Sequence, residues 1–273
     1  MLLTRFDIAT TFMKKLDNPS LLRPVTLAAF VLGSVALSSG CLPLAHAQPM
    51  FPAPLPANAS HGDEINAFLE ADKKQMPPAG AVLFIGSSSI RYWDTLAQDF
   101  PEIPVINRGF GGSQVYESTL YADRIAIPYQ PKMIVMFAGT NDLDYGNKSP
   151  QQVFDDYKSF VAKVRASLPG VRMIYLAISP TKARWKAEEK VLQANHLIQD
   201  WMILNNSPTN KLNFINTHDR LLTVDGGPPV NLEREDGLHF NKEGYKVWTA
   251  LMKPQILALA DAEGVERLDK DKK

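Results

Sequence analysis

The stretch AVLFIGSSSI, residues 81–90, decides the fold. Its five consecutive apolar residues are typical of a strand that is buried on both faces of a parallel sheet, and Gly86 ends the run. The serines that follow are favoured at helix N-termini, so the stretch predicts a strand that turns directly into a helix. A serine there can cap the helix, but its hydroxyl also feels the positive end of the helix dipole, which favours a reactive alkoxide.

Four further apolar runs repeat this pattern along the chain. They alternate with segments of helical periodicity, which predicts a doubly wound α/β fold in which helices cover both faces of a five-stranded parallel sheet. In such sheets the functional residues gather at the carboxyl ends of the strands. The predicted strands are residues 81–85, 103–106, 133–137, 173–178 and 212–215, and the predicted helices are residues 61–74, 114–125, 150–168, 182–205 and 242–260.

The composition excludes two classes of partner. Lys plus Arg and Asp plus Glu number 29 each among 273 residues, so the chain has no basic excess of the kind that nucleic-acid binding requires. The five histidines show no metal-ligand spacing, and we therefore expect no metal site. With 45% hydrophobic residues the chain is long enough for one well-buried domain, placed at residues 61–260, whereas its oligomeric state is not predicted.

Residues 1–47 are predicted to be a signal peptide. An apolar run at residues 25–37 follows basic residues and precedes Ala45-His46-Ala47, a small-x-small cleavage site. The run is well short of the roughly 20 residues that span a bilayer as a helix, so we expect no permanent membrane span. Export to the periplasm or the medium is therefore expected, and Met13 is an alternative translation start.

Two features near the ends of the chain leave alternatives open. The only cysteine, Cys41, follows Gly40, so cleavage before Cys41 would instead make a lipoprotein anchored there. Residues 48–60 are rich in Pro and Ala and are expected to form an extended leader. Residues 261–273 form a charged tail that is expected to fray.

Two glycine-containing and polar segments follow the second and third strands. In residues 107–113, NRGFGGS, we expect Gly109 and Gly111 to supply a tight turn, while Gly112 opens the next helix with a free backbone N–H. In residues 138–142, AGTND, Asn141 offers an uncharged amide donor that suits a developing negative oxygen, although an Asn turn would also explain it. Asp142 is interpreted as a brace for this loop or as a surface residue.

The segment DGLHFN, residues 236–241, pairs a carboxylate with an imidazole. A separation of three residues around one turn lets Asp236 approach the Nδ1–H of His239, which leaves Nε2 free to act as a base. The remaining histidines of the expected domain are interpreted as surface residues or as residues whose ring nitrogens are hydrogen-bonded within the fold. Asp219 lies beside His218, but neighbours in sequence do not face each other on a helix, although a loop could bring them together.

These four segments, in this order, resemble the four signature blocks of the SGNH hydrolases, also called GDSL esterases. The resemblance covers about residues 82–248 and implies the flavodoxin-like SGNH hydrolase fold, a three-layer α/β/α sandwich, with an acyl-enzyme mechanism that needs no cofactor. It implies that Ser88 is the nucleophile, that Asp236 and His239 are its acid and base, and that the backbone N–H groups of Ser88 and Gly112 and the amide of Asn141 form the oxyanion hole.

The chain departs from the family pattern at two positions. Ser87 stands where the first block commonly has Asp, and Ser113 stands where many relatives have Asp in the second block. A hydroxyl makes fewer hydrogen bonds than a carboxylate, so the departures concern the support of the loops. Neither residue belongs to the triad, and the implied chemistry is unaffected.

The substrate is less well defined by the sequence. Arg91, Tyr92 and Trp93 follow the nucleophile, and Arg184 and Trp185 follow the fourth strand, so these five are candidates for lining the substrate pocket, although aromatic residues early in a helix more often pack into the core. Short connections leave little sequence for a lid, which favours a small-molecule ester with a small acyl group, such as acetyl on a sugar. Lysophospholipid or thioester cleavage, and non-catalytic binding of a carbohydrate or acyl group, are the alternatives.

Overall fold

The computed structural model describes residues 52–56 and 58–269. The predicted signal peptide, with Cys41 and Met13, lies outside the described residues. Within the described ranges, no helix has the length and apolar character that crossing a membrane requires.

Five parallel strands form the central sheet in the order β2-β1-β3-β4-β5. The strands are β1 Val82–Gly86, β2 Val105–Gly109, β3 Met133–Phe137, β4 Arg172–Leu176 and β5 Leu212–Ile215. The helices are α1 Gly62–Lys74, α2 Ser88–Arg91, α3 Leu96–Asp99, α4 Val115–Ile125, α5 Thr140–Leu143, α6 Pro150–Ser167, α7 Glu188–Asn205 and α8 Lys242–Ala262. Short 3₁₀ turns lie at Ile127–Tyr129, Trp185–Ala187 and Val230–Leu232.

Two apolar layers cover the sheet because successive side chains of a strand point to opposite faces. In β1, Leu83 and Ile85 pack in the cluster formed with α1, α4, α6 and α7. Val82 and Phe84 pack in a second cluster with residues of α3 and α8. Every residue of β1 and β3 is buried, so the continuous apolar runs are those of strands covered on both faces. The predicted three-layer α/β/α sandwich with a five-stranded parallel sheet is confirmed.

The second strand starts and ends later than the sequence predicts. It was predicted at residues 103–106, but it is hydrogen-bonded to β1 from Val105 to Gly109 and includes polar Arg108. The Arg108 guanidinium donates to the carboxylate of buried Asp72 and to the Tyr129 hydroxyl, so its charge is paired within the fold. A charged residue can therefore lie within this strand because distant side chains pair its charge. The apolar pattern alone predicts that the strand ends before it.

The predicted helix at residues 182–205 is also shorter than expected. Residues 182–184 are a loop, the 3₁₀ turn Trp185–Ala187 follows, and α7 begins only at Glu188. The loop that follows the carboxyl end of β4 is therefore longer than predicted.

Residues outside both predicted ends of the domain contact it. Residues 52–56 form no helix or strand, as expected of a leader, yet Leu55 exchanges two hydrogen bonds with the side chain of Asn66 at 2.8 and 3.0 Å. At the other end, α8 continues to Ala262, Val265 is buried, and Leu268 N–H donates to Glu102 O at 2.9 Å. The described part of the charged tail therefore contacts the domain, and the predicted domain bounds of residues 61–260 stay a prediction.

Candidate active site

Ser88 lies at a sharp turn between β1 and α2 that only glycines permit. Gly86 has φ +141°, and a Cβ there would lie 1.9 Å from Phe137 O. Gly109, the last residue of β2, supplies close contact rather than the expected turn, because a Cβ there would lie 2.2 Å from Arg91 N. Ser87 occupies the N-cap position of α2 but makes no capping hydrogen bond through its side chain.

The structure brings Ser88, His239 and Asp236 into one hydrogen-bonded chain. Ser88 Oγ lies 2.7 Å from His239 Nε2, although the two residues are 151 positions apart. On the other side of the ring, His239 Nδ1 lies 2.7 Å from Asp236 Oδ2. The other carboxylate oxygen accepts the backbone N–H groups of Leu238 and His239 at 2.8 and 2.9 Å, which fixes the turn that carries the pair.

The electrostatics of Asp236 favour a charged carboxylate. Partial burial raises its pKa, but the hydrogen bonds from the His239 ring and from the backbone N–H groups of His239 and Leu238 outweigh that effect and lower the pKa to about 2. An ionised carboxylate holds the proton of the imidazole on Nδ1. His239 Nε2 is therefore left as an acceptor that faces the Ser88 hydroxyl.

The three candidate pocket residues after the nucleophile have different positions. The Tyr92 ring packs edge-on against the His239 ring at 4.9 Å, and the Arg234 guanidinium lies 4.8 Å above the same tyrosine. Arg91 forms an ion pair with Glu64 at 2.9 Å. Trp93 is a correction: it is 1% exposed and packs in the core cluster with α3 and α8, so it does not line a pocket.

Each of the three predicted oxyanion donors has a free N–H among the described residues. Asn141 is buried, and its Nδ2 donates to Ser113 O at 2.9 Å, which uses one of its two amide protons and leaves the other. Gly112 has φ +71°, and its N–H finds no hydrogen-bond acceptor in the part of the chain that the structure describes. By contrast, the Gly111 N–H donates a hydrogen bond to the Glu64 carboxylate at 3.1 Å. Ser88 N–H lies in the first turn of α2, where no acceptor exists within the helix.

Asp142 braces the loop that carries Asn141. It is fully buried, accepts the Val115 N–H at 3.1 Å and forms an ion pair with Lys148 at 3.1 Å, so the surface interpretation is wrong. Burial raises the pKa of Asp142, while the Lys148 ammonium opposes the rise. Ser113, in place of a family Asp, keeps a smaller bracing role through its hydroxyl, which donates to Phe110 O at 3.0 Å.

A cleft opens beside Ser88 with an empty volume of about 340 Å³, part of it open to solvent. Of the five candidate pocket residues, none lines this cleft. Arg184 instead pairs with Asp144 and lies 5.6 Å from the ring of Tyr145. The residues that line the cleft are Ser87, Ser88, Ser89, Phe137, Thr140, Asn141, Ser179, Thr181, Leu238 and Phe240.

Sequence reasoning missed three residues around the nucleophile. Ser179 and Thr181 lie directly after β4, and their position after a buried strand is the same signal that identified the other segments. Tyr145 carried no such signal, but its hydroxyl lies 3.5 Å from the position that a Cβ on Gly112 would occupy. Trp185 is half-buried in its 3₁₀ turn and is not among the residues that line the cleft.

The other described histidines are surface or satisfied residues, as predicted. His196 is exposed, and His61 Nε2 lies 3.1 Å from the Glu117 carboxylate. His218 is buried between Glu188, 2.7 Å from Nε2, and Asp219, 2.9 Å from Nδ1, because residues 218 and 219 lie in a loop, not on a helix. Burial lowers the pKa of His218, but the hydrogen bonds to the two carboxylates outweigh it and raise the pKa above its usual value.

Comparison with known proteins connects this geometry to a family. The sequence pattern described as the GDSL-like lipase/acylhydrolase family matches residues 84–247, more than half of the chain. None of the curated proteins compared with the chain matches it.

Several solved structures share the fold. A GDSL-like lipase from Bacteroides thetaiotaomicron is 21% identical, with a TM-score of 0.62 over 71% of this chain and 98% of that one. A carbohydrate esterase of family 3 from Talaromyces cellulolyticus is 18% identical, with a TM-score of 0.55 over 67% and 99%. An acetyl esterase mutant with an acetate ion is 17% identical, with a TM-score of 0.54 over 67% and 99%. At these identities the similarity concerns the fold.

Proposed function

Because this chain belongs to the GDSL-like lipase/acylhydrolase family and is a carboxylic ester hydrolase, we propose that it is an exported serine esterase that removes small acyl groups from an accessible alcohol. The observation that carries the proposal is the 2.7 Å contact between Ser88 Oγ and His239 Nε2. A hydroxyl that shares its proton with a carboxylate-bound imidazole is the nucleophile that acyl transfer requires.

The proposed cycle follows from the positions of these groups. Ser88 Oγ attacks the ester carbonyl carbon as its proton passes to His239 Nε2, and Asp236 stabilises the imidazolium that forms. The N–H groups of Ser88 and Gly112 and the free amide proton of Asn141 bind the tetrahedral oxyanion. His239 then returns the proton to the leaving alcohol oxygen. Water attacks the acyl-enzyme by the same route, releases the acid and restores the serine.

The size of the cleft supports a small acyl group. Its cavity volume is only about 10 Å³, close to what a single water molecule needs, and the rest of the cleft is open to solvent. An acetyl ester of a carbohydrate is the simplest substrate of this kind. The similarly folded proteins named as an acetyl esterase and a carbohydrate esterase are compatible with it. The long acyl chains of a lysophospholipid or thioester fit the cleft less well.

The first experiment tests whether Ser88 is a nucleophile. We expect a fluorophosphonate probe to label the native protein at Ser88, and Ser88→Ala to lose both labelling and hydrolysis of p-nitrophenyl acetate. Ser159→Ala is the matched control, since Ser159 is an exposed serine of α6 whose hydroxyl donates only to Asp155 O in its own helix. Full activity of Ser88→Ala would instead indicate a different nucleophile, whereas a native protein that is neither labelled nor active would support the non-catalytic binding protein.

A second experiment tests the substrate class. The kcat/KM values for p-nitrophenyl esters of rising chain length, acetylated sugars and lysophospholipids are compared on the same preparation. We expect the maximum at acetyl or propionyl, because the cleft has little space for more carbons. A maximum at eight or more carbons would overturn the small-acyl proposal and favour the lysophospholipid or thioester alternative.

A further inference from the structure

Two hydroxyl groups in the cleft beside Ser88 are buried and form no hydrogen bond. Ser179 is 3% exposed and Thr181 is 8% exposed, and both line the cleft. Neither Ser179 Oγ nor Thr181 Oγ1 has a hydrogen-bond partner among the described residues. Buried polar side chains in folded proteins are nearly always paired, and these two differ from the other unpaired buried groups in the described residues because they line the cleft, where a bound ligand could complete them.

The segment that carries these hydroxyls is held at both ends. Before it, the side chain of Asn195 accepts the Ile178 N–H at 2.8 Å and donates to Ile178 O at 3.1 Å. After it, the Lys182 N–H donates to Glu233 Oε1 at 2.9 Å. The segment of residues 179–181 is short and is anchored on either side, so the two hydroxyls are held in place before a ligand binds. Binding therefore costs little conformational entropy.

The position of His239 decides which half of the ester enters the cleft. His239 Nε2 must return a proton to the leaving alcohol oxygen, so the alcohol lies on the side of the imidazole. His239 does not line the cleft, whereas Ser88 and Asn141 do. This arrangement favours entry of the acyl group into the cleft, which the apolar side chains of Phe137, Leu238 and Phe240 line.

We propose that this cleft selects short acyl groups that carry a hydroxyl, which Ser179 and Thr181 bind by hydrogen bonds. The inference rests on the proposed serine esterase function and names the acyl class that it prefers. A hydroxyl can donate to one of the two side chains and accept from the other, which a methyl group of the same size cannot do. A site built in this way discriminates against the analogue that lacks the hydroxyl, because the protein groups are then left unpaired.

The test compares two nearly isosteric esters, phenyl glycolate and phenyl propionate. The measured quantity is the ratio of their kcat/KM values in the native protein and in variants, since a comparison between variants cancels the intrinsic reactivity of each ester. We expect Ser179→Ala and Thr181→Val each to lower the glycolate-to-propionate ratio about tenfold, through loss of the glycolate rate. Thr181→Ser keeps the hydroxyl and is expected to retain most of the native ratio.

Two outcomes separate this inference from the proposed function. If Ser88 is labelled by the fluorophosphonate and phenyl acetate is hydrolysed, but both variants keep the native ratio, the hydroxyls do not select the acyl group and the inference is wrong. If Ser88 is not labelled and no ester is hydrolysed, the proposed function itself fails. Exposed Ser159→Ala serves again as the control, with the native ratio expected.

Discussion

Two histidine–aspartate pairs occur in the part of the chain that the structure describes, and they differ in the group at the second ring nitrogen. Asp236 binds Nδ1 of His239 at 2.7 Å, and Asp219 binds Nδ1 of His218 at 2.9 Å. At the opposite nitrogen, His239 faces the hydroxyl of Ser88, whereas His218 faces the carboxylate of Glu188, each at 2.7 Å.

The group at Nε2 determines what each imidazole can do. A hydroxyl offers a proton, so the His239 pair can act as a base, and its side chain remains 15% exposed for a substrate to approach. A carboxylate offers only lone pairs, so His218 donates from both nitrogens as an imidazolium and is 2% exposed. A histidine beside an aspartate is therefore not in itself a catalytic signature, because the third partner decides between a base and a structural cation.

The strongest test of this difference is to remove each imidazole. We expect His239→Ala to lower kcat/KM for p-nitrophenyl acetate by about 10⁶, since loss of the base in a serine hydrolase removes nearly all of the rate. His218→Ala is expected to keep its activity at a temperature at which circular dichroism shows that it is folded. Equal losses in the two folded variants would break the comparison.

Substitution of the aspartate in each pair tests the same contrast, with a smaller expected change in rate. Asp236→Asn is expected to lower kcat by about 10⁴, because an amide favours the wrong imidazole tautomer while keeping the shape of the site. Asp219→Asn changes a pair that faces Glu188 and not a nucleophile, and steady-state kinetics are expected to show native kcat. A native rate for the Asp236 variant would show that the turn alone orients His239.

The oxyanion donor sharpens the comparison, because Asn141 lines the cleft beside Ser88 and the proposed role gives the His218 pair no such donor. Asn141→Ala is expected to lower kcat by about 10²- to 10³-fold with little change in KM, since the lost hydrogen bond forms only as negative charge develops. A raised KM with native kcat would place Asn141 in ground-state binding. Asn205→Ala, in an exposed helix end, is the matched control.

The smallest effect concerns stability and pH. The raised pKa of His218 means that its ion pairs stabilise the fold fully below the unfolded value of about 6.5 and lose that contribution as pH rises through the folded pKa. We expect His218→Gln to be less stable by about 2 kcal/mol at pH 6, roughly 5 °C in Tm, with a gap that narrows at alkaline pH. A gap that does not vary with pH in thermal melts would contradict a charged His218.

The strands and the four polar segments were predictable because their signals are local. A strand covered on both faces needs a continuous apolar run, and the β3 bounds agree with the prediction at both ends. The turn that pairs Asp236 with His239 spans three residues, so its geometry also follows from nearby sequence. The end of β2 was missed because Arg108 is satisfied by Asp72 and Tyr129, which lie far away in the chain.

The sequence by itself determined the layered α/β architecture and the pairing of Asp236 with His239, because burial periodicity and short turns depend on neighbouring residues, and its resemblance to the SGNH hydrolases implied that Ser88 is the nucleophile. Only the tertiary structure decided that Trp93 lies in the core, that Ser179 and Thr181 line the cleft, and that Glu188 occupies the ring nitrogen of His218. These outcomes depend on contacts between segments tens of residues apart, and no local pattern encodes which distant group fills the last hydrogen-bonding position.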